Sequence, residues 1–172
     1  MVANVLCRRY ASEVIMKQNL ANRLKTEFFN FTGIDCSALY MEMGQAHIPT
    51  ALKNDEKGVY VFLYGSHCFK VGKAGPKSQA RWNSHHYNLD KKTPSTFPKS
   101  IQKDVERFKR FFPVEKHEEI DGLNPNNIKE WIRCNISRIE FKISSSESDY
   151  ALNFLESLIQ FRLMPEYEGK NA

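Results

Sequence analysis

The sequence predicts an α+β fold, a short antiparallel β-sheet flanked by helices. A run rich in β-branched and aromatic residues over 59–64 (VYVFLY) breaks at Gly65-Ser66 and resumes over 68–71, the pattern of a hairpin. A later segment alternates Ile139, Phe141 and Ile143 in the two-residue period of a strand. Apolar residues at helical spacing mark segments before, between and after these strands.

In chain order, residues 11–29 set Val14, Ile15, Leu20, Leu24 and Phe28 at helical spacing, so an amphipathic helix is expected there. Residues 32–57 give mixed signals and carry no assignment. The register of the hairpin is read from its faces. A strict two-residue loop at Gly65-Ser66 pairs Tyr64 with His67 and sends Tyr60 and Lys70 to opposite faces. A three-residue loop, Gly65-Ser66-His67, pairs Tyr64 with Cys68 instead. Val59, Val61, Leu63, Phe69 and Val71 then share one wholly apolar face, and Tyr60, Phe62, Tyr64, Cys68 and Lys70 share the other. A core-facing sheet wants such a face, so the three-residue loop is expected. Residues 72–75 make a flexible exit. Residues 79–87 are expected to be helical, with Arg81 and His85 one turn apart on one face. Residues 88–98 read as a loop. Pro98 can open a helix over 99–112, striped by Ile101, Val105, Phe108 and Phe112 and ended by Pro113. Asn126-Asn127 can cap a short helix holding Ile128, Trp131 and Ile132. After the half-buried strand at 139–143, a helix follows the serine-rich run at 144–148 and ends before Pro165.

Composition narrows the function classes. The chain has 172 residues, 41% of them hydrophobic, enough for one domain with a real core and too apolar for disorder. No apolar run is long enough to span a bilayer, so no membrane partner is expected. Arg8-Arg9 is not followed by the apolar stretch of an export signal, and a cytoplasmic location is expected. Cys7, Cys36, Cys68 and Cys134 are scattered without a Cys-x-x-Cys pair, which fits reduced thiols better than zinc or disulfides. Between His67 and Lys116 stand twelve basic and four acidic residues, while the rest of the chain is slightly acidic. Such an excess suits a polyanionic partner, although a solvated lysine-rich surface would look the same.

Tyr60, Lys70, Arg81 and the run His85-His86-Tyr87 fall within thirty residues, on the hairpin and the segment after it. Far downstream, Glu156 is a lone acid on a helix surface otherwise held by Leu152, Leu155 and Ile159. An arginine with two parallel donors can hold a phosphate. A tyrosine beside a cation can act as a base, and a carboxylate can anchor a hard cation.

Together, Gly58-Val59-Tyr60, Lys70-Val71-Gly72, Arg81, His85 and Glu156 resemble the GIY-YIG nuclease superfamily. Lys70 stands where the second motif tyrosine is usual, as in restriction-endonuclease-like and phage-type branches. The resemblance implies a core over 57–87 and 128–169, with 1–55 as an N-terminal extension and 88–127 as an insertion in a single domain. It implies a metal-dependent DNA endonuclease with Tyr60 as general base and Lys70 lowering the phenol's pKa. Arg81 would stabilise the transition state, His85 would position water or donate a hydrogen bond, with His86 and Tyr87 as near alternatives for that role, and Glu156 would hold Mg²⁺ or Mn²⁺. Lys73, Lys77, His86, Tyr87, Lys91, Lys92, Lys99 and Lys103 would contact double-stranded DNA, and a homodimer is allowed. A stand-alone restriction-like or other defence nuclease is the expected role. The alternatives are a non-cleaving module of the same fold and a structure-specific or repair nuclease. No P-loop, GxSxG elbow, HExxH or dinucleotide fingerprint competes.

Overall fold

The computed structural model describes residues 2–44, 47–89 and 96–167, with side chains from Ile15 onward; Lys91 and Lys92 therefore lie outside the described residues. The fold is α+β. A long helix α1 (Val2–Thr32) leads to strand β1 (Ser37–Met41), which the sequence left unassigned. Strands β2 (Glu56–Tyr64) and β3 (His67–Ala74) follow as the hairpin. Short helices α2 (Gln79–Asn83), α3 (Phe97–Lys103), α4 (Val105–Lys109), α5 (His117–Asp121) and α6 (Ile128–Asn135) precede strand β4 (Ser137–Ser144) and helix α7 (Asp149–Leu163). The four strands form an antiparallel sheet in the order β1-β4-β2-β3.

Two apolar clusters sandwich that sheet. Val59, Val61, Ile139 and Phe141 pack against Leu24 and Phe28 of α1 and Leu152, Leu155 and Ile159 of α7. The opposite face carries Tyr60, Phe62 and Phe69, covered by Trp82, Phe97, Phe108 and Ile132 from the segments after the hairpin. The central strands are thus buried on both faces. Residues 97–135 supply much of this second cluster, and β1 is an edge strand of the same sheet.

The hairpin departs from the expected loop. Tyr64 pairs with His67 across a two-residue turn at Gly65-Ser66, with Gly65 at the positive φ of +54° that such turns need at their first position. Leu63 pairs with Cys68 and Phe62 with Lys70, so Phe69 is a bulged extra residue. The bulge restores Tyr60 and Lys70 to one face, as expected, by a different device. It also exchanges two residues: Cys68 joins the α1/α7 cluster and Phe69 the other. Beyond α7, the Glu166 and Tyr167 N–H groups donate to the carbonyls of Cys68 and Phe69, covering the outer edge of β3 there.

Two expected helices break where polar side chains offer the backbone a competing bond. The 79–87 helix stops at Asn83; Ser84 turns its hydroxyl back onto the Ala80 carbonyl, and residues 85–87 continue as a 3-10 turn. The 99–112 helix begins at Phe97 and splits at Asp104, whose carboxylate accepts the Arg107 N–H and caps α4. Asn127 stands at the N-cap of α6, but its side chain bonds Asn124 and Gly122 instead of the helix. Ser148 does cap α7, accepting the Ala151 N–H. The 137–144 strand is not half-buried: Arg138 and Glu140, on its presumed solvent face, are enclosed.

Candidate active site

The two glycines of the hairpin motif have steric reasons. A Cβ on Gly58 would lie 2.3 Å from the Phe141 carbonyl oxygen and 2.9 Å from the Trp82 ring. A Cβ on Gly72, the cross-strand partner of Tyr60, would lie 2.4 Å from the Tyr60 hydroxyl. Gly72 therefore makes the hollow over which the phenol lies.

Tyr60 itself is fully buried. Its hydroxyl is 2.5 Å from Nε2 of His86 and 3.4 Å from Nε of Arg81. The proton positions follow from the outer partner of His86. The Phe97 N–H donates to Nδ1 of that histidine, so Nε2 carries the hydrogen of the neutral ring and donates to Tyr60 Oη. Burial and the nearby cations Lys70, Arg138 and Arg81 hold His86 well below the usual histidine range, which keeps it neutral. Two donors thus point at the phenolic oxygen, an arrangement that favours the phenolate. Burial acts the other way and prevails: the Tyr60 pKa stands above the ordinary tyrosine value, with Arg81 and Arg138 pulling it down and Glu156 pushing it up.

The residues expected to act divide into three groups. Tyr60, Arg81 and Glu156 converge. Glu156, on α7, is 16% exposed and accepts from Lys73 Nζ at 2.6 Å. Beside this pair a cleft of about 370 Å³ is lined by Lys73, Ser78, Arg81, Asp149 and Asn153. His86, expected on the DNA or in place of His85 at the site, holds the tyrosine: its Nε2, and not a ring nitrogen of His85, is the one bonded to Oη. His85 is half-buried beside it and bears electrostatically on His86. Lys70 is buried on the Tyr60 face, where it presses on His86. The charges acting most on Tyr60 are those of Arg81 and Arg138, not Lys70 as expected. Tyr87 is a core residue, with no surface for DNA. It donates to His47 Nε2 at 2.7 Å and accepts from Arg138 Nη1 at 3.0 Å. Lys77 and Lys103 are exposed, and Lys99 is half-buried.

Sequence reasoning missed the polar layer under the site. Arg138 Nη2 donates to the Trp82 carbonyl and pairs with Glu140 Oε1, each at 3.0 Å. Glu140 accepts from the Thr50 hydroxyl at 2.5 Å and the Thr50 N–H at 3.3 Å. Burial raises the Glu140 carboxyl and Arg138 opposes that rise. Nothing in the alternation of β4 distinguishes these two charges from a solvent-facing pair.

For a divalent cation the donor set is sparse. No cluster of three metal-ligating side chains occurs among the described residues. Glu156 is a hard oxygen donor already facing a cation, the Lys73 ammonium, and an ion that keeps most of its waters needs only one or two carboxylates. The residues therefore fit Mg²⁺ or Mn²⁺ anchored by Glu156 and otherwise by water and phosphate. Comparison with known proteins gives no match: no family model, no curated protein and no solved structure resembles this chain significantly.

Proposed function

We propose that the chain is a divalent-metal-dependent phosphodiesterase that cuts DNA, a nuclease of GIY-YIG type. The supporting observation is a cleft lined by Arg81 and Lys73, the first bonded to a buried phenol that His86 also holds and the second paired with the Glu156 carboxylate. A bound metal would supply Lewis-acid stabilisation of charge on the phosphate. Glu156 would anchor it, with Lys73 released from the carboxylate to face the phosphate. Arg81, exposed at the cleft, donates to the phosphate oxygens as charge builds on them. His86 fixes the phenol, and Tyr60 takes the proton of the attacking water. Because Tyr60 is protonated at rest, its own proton would have to pass to solvent before the phenolate could accept one from water, a loss that the positive charge of the loaded site would favour. The basic excess between His67 and Lys116 and the lysine at position 70 favour an enzyme acting on duplex DNA, as a restriction or other defence nuclease does.

Incubation of purified protein with supercoiled plasmid, with and without Mg²⁺ or Mn²⁺, tests this. Discrete metal-dependent fragments support a restriction-type enzyme, and nicking confined to branched or single-stranded substrates supports a structure-specific one. DNA retention with no cleavage under any metal would leave a binding module and remove the nuclease.

A further inference from the structure

Against the Tyr60 ring, enclosed by the protein, lies a charge that the reaction just described does not use. Arg138 is wholly buried, its guanidinium carbon 5.2 Å from the centre of the Tyr60 ring, 5.5 Å from Phe62, 5.0 Å from Trp82 and 5.9 Å from Tyr87. We propose that Arg138, held by Glu140, is the positioning residue of Tyr60: it presents a fixed positive charge to the tyrosine ring and thereby sets how readily the phenol ionises. This rests on the reading of Tyr60 as the base.

Structure alone gives little reason for a guanidinium there. A buried ion pair is often replaceable by apolar residues without loss of stability, and this one leaves Arg138 Nε buried without a partner. The pair is nevertheless held from several sides. Tyr87, Trp82 and Glu140 take the two terminal nitrogens, and Thr50 fixes the carboxylate from the other side. Strand pairing explains the placement: Arg138 is opposite Phe62 and Glu140 opposite Tyr60 on β2, so both project onto the face that carries the phenol. The other groups that face Tyr60 are Arg81 from α2, His86 from the 3-10 turn with Lys70 of β3 behind it, and Glu156 from α7. Of the cations acting directly on the ring, Arg81 is exposed at the cleft and Arg138 is sealed from it. Arg81 can thus turn toward a phosphate, while Arg138 keeps its station throughout.

The test is ionisation of the residue itself. Tyr60 is replaced by 3-fluorotyrosine, and its fluorine resonance is followed against pH in the full-length chain. Glu140→Gln keeps an acceptor for Thr50 and Arg138 but removes the negative charge, and should move the midpoint down by about one pH unit. The double variant Arg138→Met/Glu140→Gln should move it up by a similar amount, and Arg138→Lys should return it close to the parent value. The rising limb of the cleavage pH profile should move in the same directions. A merely structural pair would lower thermal stability in these variants without opposite movements of the midpoint. An unchanged midpoint in folded Glu140→Gln overturns the proposal, whether or not the parent cuts DNA. The opposite shifts, found in a protein that cuts nothing, would uphold the coupling and remove the nuclease reading alone.

Discussion

His47 and His86 are buried uncharged, and each carries a measurable consequence. His47 donates through Nδ1 to the Ile136 carbonyl and accepts from Tyr87 at Nε2, which leaves no room for a second ring proton. Burial, aided by Arg138 and Arg133, pushes its pKa down to about 3. The folded state therefore binds a proton less readily than the unfolded chain, and stability is lost as pH falls from about 6.5 toward 3. Between about pH 6 and about 4 the unfolding free energy should decline by up to roughly 1.4 kcal/mol per pH unit on account of His47. His47→Gln, uncharged at every pH, should flatten that slope by about one proton in denaturant titrations across this range. An unaltered slope would mean that His47 titrates normally. The same residue-level logic revises the role of Lys70. Its charge falls on His86, so it helps keep that ring neutral and donating, and reaches the phenol through it.

At the level of elements, the hairpin carries the site and Gly72 sets its fit. The Tyr60 ring is wedged against Trp82, Phe62 and His86, so it cannot yield to a methyl group on Gly72. Gly72→Ala should cost about 1–3 kcal/mol through overpacking and slow cleavage on the order of 100-fold by displacing the hydroxyl. Gly75→Ala, with nothing within 4 Å of the new atom, should do neither. Melting temperature and single-turnover rate on both variants decide this; equal rates would show that the hydroxyl position is not critical. The hairpin, the 149–163 helix and the sharing of a face by Tyr60 and Lys70 were legible because alternation and helical spacing speak directly of faces. The bulge at Phe69 was not, since two loop lengths satisfy the same alternation once an extra residue is allowed. Where α2 stops was not legible, so His85, His86 and Tyr87 could not be ranked against one another from spacing alone. Arg138 and Glu140 were illegible for a larger reason. Charges alternating with Ile139 and Phe141 signal a solvent face, and only the packing of Trp82 and Tyr87 over that side reverses it.

Across the whole molecule, the basic excess between His67 and Lys116 is smaller in effect than in count. Lys73, Arg107, Lys109 and Lys116 form ion pairs with Glu156, Glu166, Asp121 and Glu119, and Lys70 is buried. Lys77 is exposed, and with Lys91, Lys92, Lys99 and Lys103 it belongs to the set the sequence offers for phosphate contact. Neutralising Lys91, Lys92, Lys99 and Lys103 together should weaken duplex binding and flatten its salt dependence. The log–log slope should fall by about 0.9 for each phosphate that the protein no longer neutralises. Cleavage at saturating DNA should stay near the parent rate. Retention of both affinity and slope would move the DNA-binding surface to residues 1–55. Among the described residues no helix is long and apolar enough to cross a membrane. The central claim is hydrolysis anchored on Glu156, and Glu156→Gln tests it most directly, because it preserves shape and removes only the charge that faces Lys73. Binding of a duplex by the purified variant should match the parent, while Mg²⁺-dependent cleavage of the same duplex should fall by on the order of 100-fold or more. Cleavage by Glu156→Gln at close to the parent rate would contradict the account.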